Sequence, residues 1–432
     1  HFMLVPNHSV IETIALGYQG APYFFPRKGL KKKIETFSQA FGFSIDPDKR
    51  VWQLSAGEQQ RVEIIKVLLN GADLLILDEP TSVLTPQEIK ALSDTLRQMK
   101  AQGHMVIFIS HKLDEIMDIC DRVQVLAKGK TSGSALTRDT DKTGLARMMV
   151  GRDVVFNLDR ETLGKGNQVL SVDRIIVRSD KGQKAINGIS FDLYQNEIVG
   201  IAGVAGNGQR ELAEAVTGIR PVESGDIRID KESVTNKSPR FIFDRGISHV
   251  PEERIRFGIA PGLFLHDNAI LKQHHLDKFS SRFFLKYSQI REHTALLMDD
   301  FNISTHSMNT PIKNLSGGNI QNLILGREIS EPPRLLVASH PTYGLDVGAT
   351  QFIREQLLKL RRQGSAVLLF SEDLEEIFEL CDRIAVIFDG RLMALLDAGD
   401  PRLRDIGLMM AGACQITDSE PVETGFAGEV HP

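Results

Sequence analysis

The chain has 432 residues, 42% hydrophobic and 25% charged, a make-up that suits a folded globular protein with room for two domains of ordinary size. A formal net charge of -5 without a basic stripe argues against a nucleic-acid-binding surface, and no apolar run is long enough to cross a bilayer. Cys120, Cys381 and Cys414 lack ligand spacing, so neither a zinc centre nor a disulfide framework is expected, and a reducing, cytoplasmic setting fits.

From His1 to about Leu69 the pattern is mostly helical, with Val10 to Leu16 and Lys32 to Phe41 as candidate helices broken by Gly20, Pro22, Pro26 and Pro47. The basic run Lys28 to Lys33 reads as a solvated helix start rather than a phosphate grip. Small residues Ser55, Ala56 and Gly57 then open a helix in which Ile64, Ile65, Leu68 and Leu69 share one face. The free N–H groups and positive dipole end of such a helix suit an anion. Leu74 to Leu77 is apolar at every position, as expected of a parallel strand covered on both faces, and it delivers Asp78 and Glu79 to the carboxyl edge of a sheet.

After a turn from Pro80 to Pro86, Ile89, Leu92, Leu96 and Met99 form one helical stripe. A further buried strand is expected at Met105 to Ile109, ending in Ser110-His111. The helix Leu113 to Cys120 and the strand Arg122 to Ala127 are expected to close this core. Gly129-Lys130-Thr131 imitates a phosphate-loop triplet, but Gln124 stands where its earlier glycine should be and no helix follows. Gly151 to Asn167 reads as a short polar linker.

The chain then repeats itself. Leu54 to Lys130 lies without a gap on Leu315 to Arg391, which argues for two copies of one domain. Ahead of the second copy, strands at Gln168 to Ile175, Ala185 to Leu193 and Glu197 to Ala202 run into the glycine-rich turn Gly203-Val-Ala-Gly206-Asn207-Gly208. A helix from about Arg210 to Thr217 follows, the context in which backbone N–H groups cradle phosphate. Ahead of the first copy there is no such turn, and by comparison with the second roughly 80 residues are expected to be missing before His1.

Together, LSAGEQQRVEIIKVL and LLILDEP resemble the signature motif and Walker B of the ATP-binding cassette (ABC) ATPases. The resemblance implies an α/β fold with two tandem P-loop NTPase (RecA-like) domains and helical subdomains, the first domain incomplete. Its parts would be 1–150, a linker 151–167, a second domain 168–415 and a tail 416–432. It also implies ATP and Mg2+ as cofactors, with Asp78 orienting the metal, Glu79 polarising the attacking water and His111 reaching the γ-phosphate. In this family each ATP lies between the Walker motifs of one domain and the signature of the other. A competent site would therefore join Asp78, Glu79 and His111 with Leu315, Ser316, Gly317 and Gly318. A degenerate one would join Gly203, Gly206, Asn207, Gly208, Gln209 and Arg210 with Ser55 and Gly57, where Ala56 interrupts the usual double glycine.

The second domain departs from the family pattern at four places. Gln209 and Arg210 replace the Walker A lysine and hydroxyl residue, His340 follows Ser339 in place of the acidic pair, Glu372 replaces the switch histidine and Glu252 the Q-loop glutamine. Thr85 stands where the first domain's D-loop aspartate belongs, whereas Gly344-Leu345-Asp346 retains it. The opening HFMLVPN resembles the segment that follows the Q-loop glutamine, so the chain as given, without a Walker A lysine, is expected to be inactive alone.

The strings LDEPTSVLTPQE, ISHKLDEIMDICDRV and LARMMVGRDV resemble the ATP-binding subunits of bacterial importers for simple sugars and nucleosides, closest to the nucleoside and basic-membrane-lipoprotein branch. That resemblance implies two membrane-spanning permease subunits, an extracytoplasmic substrate-binding lipoprotein, no nucleic acid, and a peripheral place on the cytoplasmic face of the membrane. The alternative is a soluble ABC ATPase acting on ribosomes or nucleic acid, against which the short linker argues.

Overall fold

The computed structural model describes residues 3–18, 27–41, 45–81, 84, 86–110, 112–127, 129–150, 161–204, 206–281, 283–410 and 412–415. The chain divides into two compact units, His1–Val154 and Val155–Pro432.

The first unit begins with α1 (Val10–Gly17), α2 (Arg27–Ala40) and α3 (Ala56–Leu68). Reciprocal capping boxes start two of them: Ser9 with Glu12 at α1, and Ser55 with Glu58 at α3. Val10, Ile11 and Ile14 of α1 meet Leu30 and Ile34 of α2 and Val62, Ile65 and Leu68 of α3 in one core. The basic start of α2 is solvated as expected, with Lys31 and Arg27 sharing the exposed carboxylate of Asp48.

Next come β1 (Leu74–Asp78), α4 (Pro86–Ala101), β2 (Met105–Ile109), α5 (Leu113–Ile119), β3 (Arg122–Ala127), β4 (Lys130–Leu136) and α6 (Lys142–Val150). β1 and β2 pair in parallel from Leu74 opposite Met105 to Asp78 opposite Ile109. Here the two-faced burial expected of both strands is corrected. Leu75 and Leu77 pack with Leu92, Leu96 and Met99 of α4, but Ile76 is 60% exposed, and Leu74, Met105, Ile107 and Ile109 are exposed beside it. Among the described residues, helices cover one face of this pair only. A second correction concerns β3, which joins β4 in a separate antiparallel hairpin instead of the β1–β2 sheet. Gly129 makes the hairpin turn at φ +74° and Lys130 begins β4, so the triplet there leads into a strand and cradles nothing.

The second unit has the complete arrangement. It opens with β5 (Gln168–Arg178), β6 (Lys184–Tyr194), β7 (Ile198–Ala202), α7 (Gln209–Val216), β8 (Val222–Ile229) and β9 (Glu232–Ser233). Then follow α8 (Pro239–Phe243), β10 (Ile247–Val250), α9 (Leu265–Ala269), β11 (Ser280–Ser281), β12 (Phe284–Leu285), α10 (Tyr287–Asp300) and α11 (Gly317–Ile329). The unit closes with β13 (Leu335–Ser339), α12 (Val347–Arg362), β14 (Ala366–Ser371), α13 (Leu374–Leu380), β15 (Arg383–Phe388), β16 (Arg391–Asp397) and α14 (Ile406–Met410).

Six strands form the main sheet in the order β10-β13-β14-β7-β15-β16, parallel except for β16, while β6-β5-β8-β9 make an antiparallel sheet. Strand β13 shows why its residues are apolar throughout. Leu336 and Ala338 enter a core with Leu323 and Ile324 of α11 and Ile353 and Leu357 of α12, whereas Leu335 and Val337 enter a second core with α7 and the antiparallel sheet. The insertion 266–328 carries the expected helices, α10 with most of α9 and α11, joined by turns and the small β11–β12 hairpin.

One polar pair distinguishes the two copies. In the second, Arg361 is 2% exposed and grips Asp382 with two bonds of 2.8 and 2.6 Å. Its third nitrogen donates to the Glu161 carbonyl at 2.9 Å, and Asp382 also accepts from the Ile198 N–H. The equivalent pair in the first copy, Lys100 with Asp121, is solvent-exposed on both sides.

Candidate nucleotide site

Both copies end the strand that carries the acidic position with the same strained turn. Glu79 has φ +48° and donates its N–H to the Ile109 carbonyl at 2.9 Å; His340 has φ +46° and donates to Phe370 at 2.8 Å. A left-handed residue that is not glycine is uncommon, and two at matched positions mark a backbone constraint of the fold rather than of one side chain.

Behind the turn a threonine is tied to a buried carboxylate. Thr81 Oγ1 donates to Glu115 at 2.7 Å, joined by Ser110 Oγ at 3.2 Å, and Thr342 Oγ1 donates to Glu376 at 2.8 Å. Each bond fastens the turn after the acidic strand to the helix after β2 or β14, which fixes the distance between the two elements. Burial pushes the Glu376 carboxyl above its ordinary range, against the pull of Arg354 and the hydroxyls of Ser371 and Thr342.

Asp78 is exposed at the carboxyl end of β1, with Glu79 half-buried next to it. One hard carboxylate oxygen is what magnesium asks of a protein when phosphates and water complete its shell. His111 and Thr85 lie outside the described residues.

The glycine-rich loop of the second unit runs from β7 into α7. Gly206 (φ +90°) and Gly208 (φ +99°) bend it, and a Cβ on Gly208 would sit 2.3 Å from the Ala185 carbonyl oxygen. Gln209, at the Walker A lysine position, is 5% exposed and turns inward, its amide donating to the carbonyls of Ile201 and Gly203 at 3.2 and 3.3 Å. Arg210 lies along α7 on Glu214 at 2.8 Å, and Asn207 is held between the Val204 carbonyl and the Asp389 N–H. The polar ends of Gln209 and Arg210 are therefore engaged by groups of the protein itself, Gln209 in the interior and Arg210 at the partly exposed surface of α7. Desolvation raises the carboxyls of Glu252 and Glu372 and lowers the imidazole of His340, with Glu372 pulling His340 the other way. Where the family pattern has a neutral amide and an imidazole, phosphate would meet two acids.

The two signature segments differ in the same sense. Ser316 caps α11, accepting from the Asn319 N–H at 3.3 Å and its side chain at 3.1 Å; Leu315 is half-buried beneath it. Gly317 is exposed and nothing lies within 4 Å of a Cβ built on Gly318, so this helix start is open to an anion. In the first unit Glu88 of α4 fills the corresponding place. Its carboxylate accepts from Ser55 Oγ at 3.1 Å and from the Gly57 N–H at 3.2 Å, and Gly57 is buried under it. Sequence reasoning missed Glu88. The usable signal was its aligned partner in the repeat, Ala349, which has no charge to place there.

Among the described residues no helix is long and apolar enough to cross a membrane. The ABC transporter family's sequence profile matches residues 2–82 and 186–343. The glucose import ATP-binding protein TsgD13 of Haloferax volcanii is 41% identical across 96% of this chain and 82% of its own length. The nucleoside import ATP-binding protein NupA of Lactococcus lactis subsp. cremoris is 39% identical over 95% and 82%, respectively. The guanosine import ATP-binding protein NupO of Bacillus subtilis is 41% identical over 96% and 82%. Relatives of this kind set aside the ribosome- or nucleic-acid-directed alternative. With a duplicated α/β unit, a glycine-rich loop and two capped signature helices, these matches establish that the chain belongs to the ABC transporter family, as one of its ATP-binding, ATP-hydrolysing subunits.

Proposed function

We propose that this chain powers the import of a nucleoside or simple sugar through two membrane-spanning permease subunits, supplied by an extracytoplasmic substrate-binding lipoprotein, from the cytoplasmic face of the membrane. Within it, one site turns over ATP and one does not. The observation that carries this reading is the matched turn at Glu79 and His340: one backbone, with a carboxylate in the first copy and an imidazole in the second.

Bound ATP with magnesium supplies the phosphoryl group to be transferred and the charge that neutralises it. Asp78 would hold the ion. Glu79 would orient and polarise the attacking water, His111 would steady the terminal phosphate, and Leu315, Ser316, Gly317 and Gly318 would supply the signature for that nucleotide. The second site would draw on Gly203, Gly206, Asn207, Gly208, Gln209 and Arg210, with Ser55 and Gly57 as its signature. With a glutamine for the lysine and no catalytic carboxylate, that site holds nucleotide or serves the architecture without hydrolysing. Closure on nucleotide then moves the permease between access states.

The test uses the transporter assembled in proteoliposomes with this subunit at full length. Glu79→Gln lowers ATP hydrolysis by about 100-fold or more, the range of a lost general base, while His340→Ala leaves it within about twofold. Equal losses overturn the one-site assignment. Uptake of labelled nucleosides against monosaccharides in the same vesicles decides the substrate class.

A further inference from the structure

Arg254 stands two residues past Glu252, at the start of a single wide helical turn, Arg254–Gly258. Its guanidinium bridges two distant backbone segments of the second unit. One terminal nitrogen donates to the Gly317 carbonyl at 3.2 Å, and the other donates to the Tyr343 carbonyl. Gly317 is the first glycine of the open signature. Tyr343 immediately precedes Gly344-Leu345-Asp346, whose aspartate caps α12 by accepting from the Ala349 N–H at 2.8 Å. A Cβ built on either Gly317 or Gly344 would lie 3.6 Å from the guanidinium, an ordinary contact distance, so the fork packs directly against both glycine segments.

The side chain is half-buried, and among the described residues no carboxylate pairs with it, although its neighbour Arg256 reaches Glu253. Desolvation holds its pKa below the usual arginine value. A cation kept partly out of water beside a segment that receives phosphate is costly unless an anion arrives to meet it. The planar fork explains the residue type, since it spans two carbonyls at once where an ammonium group on a flexible stem cannot do so with fixed geometry.

We infer that Arg254 is a positioning residue for ATP hydrolysis, clamping the signature glycines and the segment before Asp346 into one preset surface while leaving an uncompensated positive charge for the nucleotide's terminal phosphate. The inference rests on the reading that Leu315 to Gly318 face the competent site. It adds a link from the loop carrying Glu252 to both segments.

Arg254→Ala and Arg254→Lys are compared with wild type in the assembled transporter, with ATP hydrolysis measured over a range of ATP concentrations. The alanine variant loses about tenfold in kcat and raises KM for ATP several-fold; the lysine variant keeps KM but shares the loss in kcat, because it restores charge without the bridge. A role in stability alone would lower the amount of assembled transporter without splitting kcat from KM. Glu79→Gln is run alongside. If it abolishes hydrolysis while Arg254→Ala stays within twofold on both constants, or Arg254→Lys restores kcat fully, this inference fails and the site assignment stands. If Glu79→Gln leaves hydrolysis intact, the site assignment itself fails. Should the alanine variant not assemble, the lysine variant alone decides by its kcat.

Discussion

Replacing Arg361 by methionine and, separately, Lys100 by methionine perturbs the same place in the two copies and should give very different results. Arg361 is almost wholly enclosed and its removal deletes two charge-assisted bonds to Asp382 and one to the Glu161 carbonyl, leaving a carboxylate that keeps only the Ile198 N–H and some solvent. Breaking one side of a buried pair costs about 3–5 kcal/mol. Since Asp382 retains a partner, the lower end, about 3 kcal/mol, applies. Lys100 and Asp121 are both mostly in water, where such pairs contribute about 0.5 kcal/mol or less. The assay is urea unfolding of the whole chain followed by far-UV circular dichroism, with Trp52, the sole tryptophan, reporting the first unit. At a slope of about 2–3 kcal/mol per molar, Arg361→Met lowers the midpoint of the second unit's transition by about 1–1.5 M. The Trp52 signal should not follow it, and Lys100→Met should move neither by more than about 0.2 M. A shift in Arg361→Met no larger than that of Lys100→Met would refute the argument that enclosure, and not the presence of an ion pair, sets the contribution.

The threonine bonds grade in the same way. Thr342→Val takes one of two hydroxyls from Glu376, which is fully enclosed with Arg354 4.0 Å away, and costs about 1–2 kcal/mol in urea unfolding. Thr81→Val costs about 1 kcal/mol, because Ser110 still donates to Glu115. Gly208→Ala should destabilise clearly more than Gly206→Ala: both have left-handed backbones, but only at Gly208 does the added carbon meet a carbonyl oxygen, so thermal melts of the pair separate strain from clash. His249 lies among Lys272, Glu328 and Glu214, and burial with the Lys272 charge lowers its pKa from 6.5 to about 4. Between those values the unfolded chain binds a proton the folded one refuses, so stability falls as pH drops from 6.5 towards 4. His249→Gln should flatten that part of a pH series of unfolding midpoints, and an unchanged slope would exclude this imidazole as the cause.

Periodicity made the helices and their caps legible, because Ser55 and Ser316 act on groups three residues away and need nothing distant. The run Leu335 to Ala338 is covered on both faces as its apolarity suggests; Leu74 to Leu77, equally apolar, is not, since burial depends on which neighbours are present and not on the strand itself. The fold-back of Gln209 was illegible because a side-chain amide in a glycine loop can serve a ligand or the loop's own carbonyls, and the sequence is identical either way. Glu88 and Arg254 escaped for a related reason. Their partners lie 31 to 89 residues off, and each contact depends on the packing of elements that patterning alone leaves unplaced.

The twin turns at Glu79 and His340 carry a last implication. Because the peptide geometry there is common to both repeats, chemistry can be silenced by exchanging one side chain while the scaffold around it is spared. On the one-site reading proposed above, tandem fusion would also fix the stoichiometry: every molecule would carry one firing half and one mute half, without any need to sort separate gene products during assembly.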